Sequence, residues 1–128
     1  MDDTVKHQRP VNLDLGSLKF PPMAIASILH RLSGIVLFLL LPVMMCFLSQ
    51  SLGSQASFDQ LVVTLNNPFY KLILWGFSTA LIYHILAGFR HIAMDFGMGE
   101  KLIAARRSAV GVIVLAIILT MVLGVWIW

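Results

Sequence analysis

Three long runs without a charged side chain decide what this chain can become. Leu32 to Leu48 reads LSGIVLFLLLPVMMCFL, and Cys46 is its only ionisable group. Leu72 to Phe89 is bounded by Lys71 and Arg90 and carries His84 inside it. Ser108 to Trp128 is 21 residues long, uncharged, and ends in Trp126 and Trp128. A helix needs about 20 apolar residues to cross a bilayer, and within lipid only structures that satisfy every backbone polar group internally survive. Three such runs fill most of a 128-residue chain. The expected fold is an all-α membrane protein of three transmembrane helices, built as part of a larger helical bundle.

Composition closes the other routes. Charged residues make up 12% and hydrophobic residues 59% of the chain, with a mean hydropathy of +0.88. Soluble domains are about a quarter charged, and a small one needs that polar surface to stay in water. Disorder requires low hydrophobicity and high net charge. The net charge of +3 does not point to nucleic acid, because the bases lie between apolar runs rather than on one soluble face. The lone Cys46 permits no internal disulfide and is expected to be a small buried hydrophobe. Residues 1–22 are polar and mixed in charge, unlike a signal peptide, so the first run is expected to stay in the mature protein.

The bases set an orientation. Lys6, Arg9, Lys19, Arg31, Arg90, Lys101, Arg106 and Arg107 fall on one side, and Lys71 alone on the other. The positive-inside rule then makes residues 1–22 a cytoplasmic segment, 23–49 the first span, and 50–67 a periplasmic loop. It makes 68–95 the second span, 96–105 a cytoplasmic loop and 106–128 the third span. SQSLGSQASFDQ reads as a polar connector. Asn66, Asn67 and Pro68 form a cap and first turn, and Phe96-Gly-Met-Gly closes the second helix. Pro42 predicts a kink in the first span rather than a break. Tyr70, Lys71, Trp75 and the terminal tryptophans read as interface anchors.

Polar groups at membrane depth are costly and therefore candidates for function. His84 lies six residues from Arg90, about 9 Å along a helix, in the cytoplasmic half of its span. Reading by fours gives Gly76, Ala80, His84 and Gly88, a shallow stripe of small residues around one imidazole. The stripe serves close helix packing with a hydrogen-bonded histidine, a flat cofactor held by a neutral imidazole such as a haem, or a proton relay. A haem with two histidine ligands needs a second one, from His30 or from another chain. His91 lies two turns beyond His84, and Asp95 one turn further, within pairing distance. At the start of the first span, Ser27, His30, Arg31 and Gly34 share a face. They form either an interfacial arginine and its neighbours or a pocket for an acidic or carbonyl ligand. His7 sits in the polar tail.

These motifs, Arg9-Pro-Val-Asn-Leu-Asp-Leu15, Ser27-Ile-Leu-His-Arg-Leu-Ser-Gly34, His84 with Gly88-Phe-Arg-His91, and Asp95-Phe-Gly97, resemble the cytochrome b membrane anchor of bacterial succinate dehydrogenase, respiratory complex II. The resemblance covers nearly the whole chain, the first loop excepted. It implies that His84 is one of two axial ligands of a haem b, the other coming from a second anchor subunit. It implies that Ser27 and Arg31 line a ubiquinone site, and that His30, Arg31 and His91 approach the haem propionates. It implies further partners, an iron–sulfur subunit and a flavoprotein subunit, and a place in the bacterial inner membrane. With one cysteine and no flavin-binding pattern, the chain does not itself oxidise succinate. Alternatives are the anchor of a quinol:fumarate reductase, a haem-free structural anchor, and a small transporter. The last would be expected to show broken helices or inverted repeats, and neither is apparent.

Overall fold

The computed structural model describes residues 20–99 and 101–128. The described residues form four helices: α1 Pro22–Gly53, α2 Gln55–Leu65, α3 Pro68–Asp95 and α4 Leu102–Ile127. Three of them, α1, α3 and α4, are long and apolar enough to cross a membrane. The motif Arg9 to Leu15, His7 and the absence of a signal peptide concern residues outside the described ones.

Local chemistry sets the helix ends. Pro22 occupies the first turn of α1, where its missing N–H costs nothing. Helix α1 is 32 residues long, roughly 48 Å at 1.5 Å per residue, and runs unbroken through Pro42. It stops at Ser54, whose extended backbone (φ −162°, ψ 167°) turns the chain. The same residue caps α2: Ser57 N donates to Ser54 Oγ at 3.2 Å, and Ser54 N donates to Ser57 Oγ at 2.9 Å. At the start of α3 the Asn67 side chain accepts from Phe69 N at 2.9 Å, with Pro68 next in line. At its end, Met98 N bonds to Ala93 O and Gly97 N to Met94 O. This reciprocal cap requires a left-handed residue, and Gly97 supplies it at φ 78°.

Two expectations need correcting here. The segment read as a polar loop is largely helical: α1 extends to Gly53, and the 11-residue α2 follows at once. Its serines and glutamines are helix-capping and outward-facing groups, while Leu61 is 5% exposed. Cys46 is exposed on α1 rather than buried, because its face of the helix carries no neighbour within the chain.

Packing is inverted relative to a soluble protein. The buried residues are small: Ala26, Ser33, Ala80, Ala87, Ala105, Ala109 and Ala116, with Leu61 and Tyr83 as the larger exceptions. Large apolar side chains point outward, Phe38 at 76% and Val125 at 85% exposure. Lipid tails are as apolar as leucine, so helices in a bilayer associate by close backbone approach at small residues, and large side chains face the tails. The three long helices touch one another pairwise. At one end Tyr83 Oη donates to Ala26 O at 2.9 Å, and Arg90 donates from Nε to Ser108 Oγ at 3.0 Å and from Nη2 to Ala105 O at 3.1 Å. At the other end Phe47 meets Tyr70, and Lys71 Nζ lies 5.7 Å from the Trp128 ring centroid.

Candidate functional site: a histidine cluster between the first and third helices

The end of the bundle where α1 begins and α3 finishes gathers three imidazoles. His30 on α1 lies between His84 and His91 of α3. Its ring centroid is 4.3 Å from that of His84 and 5.0 Å from that of His91, with interplanar angles of 33° and 44°. His84 and His91 are seven residues apart, two helical turns, so both project toward the same neighbour. Spacing brought His84 and His91 to one face. That the neighbour would be His30 depends on the rotation of α1, which small residues decide.

Those residues are glycines. A Cβ on Gly34 would sit 3.3 Å from His84 Cε1, and one on Gly88 would sit 3.9 Å from His30 Nε2. Gly34 thus lets the His84 ring lie against the backbone of α1, and Gly88 does the same for His30 against α3. The stripe read from the sequence divides. Gly88 serves the histidines, whereas Gly76 and Ala80 line an apolar cavity of about 470 Å³ between α1, α3 and α4 with Trp75, Thr79 and Tyr83.

One hydroxyl organises the cluster. Ser33, 7% exposed, donates from Oγ to His30 O at 2.7 Å, and the same oxygen lies 3.0 Å from His84 Nδ1. Ser33 lies within the Ser27–Gly34 motif but is not among the candidates its spacing singles out. A signal was there: Ser33 stands three positions after His30 and beside Gly34, on the face already singled out. His30 Nε2 is enclosed and has no hydrogen-bond partner. Buried polar atoms are nearly always paired, so this one calls for a partner from outside the described residues.

The remaining candidates fall as follows. Ser27 is half-buried and Arg31 exposed, one turn apart on α1. No hydrogen bond joins either side chain to the rest of the described residues. Arg31 therefore reaches away from the bundle while His30 points into it. His91 turns its ring to His30, and no ion pair links it to Asp95, which is exposed at the last position of α3. Trp75 packs against α4. Its indole Nε1 donates to Thr120 O at 3.1 Å and lies over Gly124, where a Cβ would come within 3.1 Å of Nε1. The missing side chain of Gly124 admits the ring between α3 and α4.

The arrangement answers one question about metal binding within the chain. Two imidazoles that share a metal place their donor nitrogens about 4 Å apart across it, and a porphyrin plane must pass between the rings. His30 and His84 are in direct ring contact. In this arrangement the two rings leave no space between them for a flat macrocycle.

Comparison with known proteins identifies the family. Residues 5–123 match the family model described as the succinate dehydrogenase/fumarate reductase transmembrane subunit. The chain is 47% identical over 122 residues to the succinate dehydrogenase cytochrome b556 subunit of Coxiella burnetii, covering 94% of this chain and 98% of that protein. It is 30% identical over 130 residues to the subunit of the same name from Paracoccus denitrificans, covering 98% and 100%. A third relative of that name, from Rickettsia typhi, is 31% identical over 122 residues, covering 94% of each chain. A multi-pass helical membrane protein with this match over nearly its full length belongs to the succinate dehydrogenase/fumarate reductase transmembrane subunit family.

Proposed function

We propose that this chain is the haem- and quinone-binding membrane anchor of a succinate:ubiquinone oxidoreductase in a bacterial inner membrane. The observation that carries the reading is the imidazole cluster at the α1 start and α3 end, with a serine on one nitrogen of His84. The relatives' name adds a b-type cytochrome and a succinate dehydrogenase. The partners are a second anchor subunit, an iron–sulfur subunit and a flavoprotein subunit. The N-terminus is cytoplasmic, on the side where eight of the nine bases fall.

The residues fit a haem b. His84 Nδ1 is engaged by Ser33, while Nε2 has no hydrogen bond among the described residues, which leaves its lone pair for a ligand. His84 would hold the haem iron, and the other anchor would supply the remaining protein ligand. Arg31 and His91 would receive the propionates, and His30, whose Nε2 is enclosed, would join them by turning its ring outward. A bound haem would supply a one-electron store.

The chain's own residues act on the quinone. Ser27 and Arg31, stacked one turn apart, hold a quinone carbonyl oxygen by hydrogen bonds. The Arg31 guanidinium stabilises the negative charge that grows on that oxygen during reduction, as fixed donors do at any developing oxyanion. Electrons arrive from the iron–sulfur subunit, and succinate is oxidised in the flavoprotein. The three curated relatives named above favour succinate oxidation over the fumarate-reducing direction that the family also covers.

The test uses the complex isolated from native membranes through a tag on this chain. A b-type haem spectrum reducible by succinate is expected, and His84→Leu is expected to weaken or displace it. Ser27→Ala and Arg31→Leu are each expected to cut quinone reduction while dye-linked succinate oxidation survives. Haem content and spectrum unchanged in His84→Leu would refute the ligand assignment. Equal loss of both activities in the Ser27 and Arg31 variants would refute the quinone assignment.

A further inference from the structure

We propose that Ser33 is the positioning residue of His84: its hydroxyl fixes the imidazole as the Nδ1–H tautomer and so keeps the Nε2 lone pair for a metal. The inference rests on the reading of His84 as an axial ligand.

A count of protons decides the tautomer. Ser33 Oγ makes two short contacts, to His30 O at 2.7 Å and to His84 Nδ1 at 3.0 Å. A hydroxyl has one hydrogen to give. The carbonyl of His30 has none, and 2.7 Å is the usual length of an O–H···O bond. The Ser33 proton therefore points at His30 O. The contact with Nδ1 is then a hydrogen bond only if the imidazole donates, with a Ser33 lone pair accepting. A neutral imidazole carries one N–H, so Nδ1–H leaves Nε2 bare. The alternative form, protonated on Nε2, has no lone pair there and would set two acceptors against each other at Ser33.

Orientation follows from the same contacts. The serine oxygen is held by the carbonyl one turn back on its own helix, so it is a fixed acceptor rather than a rotor. Its 7% exposure shields the bond from competing water. On the other edge of the ring, Cε1 lies against Gly34. The imidazole is thus held at Nδ1 by a hydrogen bond and at Cε1 by backbone, with Nε2 unengaged. Ligating histidines commonly donate their second N–H to a fixed acceptor in this way, which sets the tautomer and raises the ligand's basicity. Here both the acceptor and its own anchor come from α1, while the ligand comes from α3.

The experiment compares Ser33→Ala, Ser33→Thr and Ser33→Cys in the assembled complex. The readouts are the rate at which apomyoglobin extracts haem and the low-spin ferric EPR signal, which reports axial ring orientation. Ser33→Ala is expected to weaken haem retention by about 10- to 100-fold, the usual effect of losing such a partner, and to shift the EPR signal. Ser33→Thr, which keeps the hydroxyl, is expected to restore both. If Ser33→Ala fails to assemble, Ser33→Cys carries the test, since it keeps the shape and weakens the acceptor. Wild-type retention and EPR in Ser33→Ala, or in Ser33→Cys in its place, would overturn the proposal. So would failure of Ser33→Thr to restore an impaired Ser33→Ala. His84→Leu is measured alongside: an unaltered haem there sinks the axial-ligand reading itself. Normal dependence on His84 with indifference to Ser33 sinks this inference alone.

Discussion

Replacing Gly34 by alanine puts a methyl carbon 3.3 Å from Cε1 of His84. Carbon pairs prefer about 3.5–4.0 Å, so the imidazole must retreat by a few tenths of an ångström. The Ser33 Oγ to Nδ1 contact starts at 3.0 Å. A retreat of about 0.4 Å takes it beyond the ~3.2 Å range of good hydrogen bonds. Losing that bond costs about 1 kcal/mol. Alanine in place of glycine within a helix returns about 1 kcal/mol. The two nearly cancel, so thermal stability of the complex should hardly move while the haem environment changes. The assay pairs a thermal inactivation curve with haem retention and the ferric EPR signal of purified complex. Gly88→Ala is the control, because its methyl would lie 3.9 Å from His30 Nε2, an ordinary contact. Gly34→Ala is expected to shift the haem signals with melting nearly unchanged, and Gly88→Ala to leave both in place. Identical haem signals in Gly34→Ala and wild type would refute the claim that this backbone contact positions the ring.

Two further substitutions test the packing that supports the site. Tyr83→Phe removes the buried bond to Ala26 O at 2.9 Å; the carbonyl keeps its helical partner, so the loss should be about 1 kcal/mol. An unchanged thermal inactivation profile would contradict a structural role for that hydroxyl. Arg90→Lys replaces a guanidinium that reaches both Ser108 Oγ and Ala105 O with a single ammonium. Faster hydrogen exchange in the first turns of α4 is expected, and exchange equal to wild type would show that the clamp does not hold α4 to α3.

The spans were legible because lipid imposes a rule that one chain must obey by itself: about 20 consecutive apolar residues with no charge. Pro22, Asn67-Pro68 and Gly97 mark helix ends for equally local reasons. Helix α2 was not legible, because Ser and Gln between two spans carry the same composition whether they cap a helix or line a loop; only the reciprocal Ser54–Ser57 bonds separate the two. The packing of Trp75 on α4 was not legible either, for the opposite reason. An indole near a span's end satisfies the interfacial pattern, and the space left by Gly124 lies 49 positions away in the sequence. At the site, His84, His30 and His91 stood out by their cost in a membrane. What spacing along one helix could not give was the rotation of α1 against α3, and that rotation makes Ser33 a partner of His84 and makes His30 the middle ring of three.

That rotation also bears on why such a chain needs another. Turning His30 inward sets its ring centroid 4.3 Å from that of His84, too close for a flat macrocycle between them. The chain can then offer a metal one nitrogen, His84 Nε2, and that nitrogen has no partner among the described residues. Small residues bind α1, α3 and α4 to each other, and large apolar side chains such as Phe38, Leu39 and Phe89 cover the outside. On the function proposed above, a haem held by His84 would meet this outer surface and would join two anchors, each supplying a ligand. Removing His84 should accordingly loosen the pairing of the anchors as well as the haem. Co-purification of the second anchor with the His84→Leu chain after graded detergent washes reads this directly: undiminished pairing would mean that the haem occupies the joint without holding it.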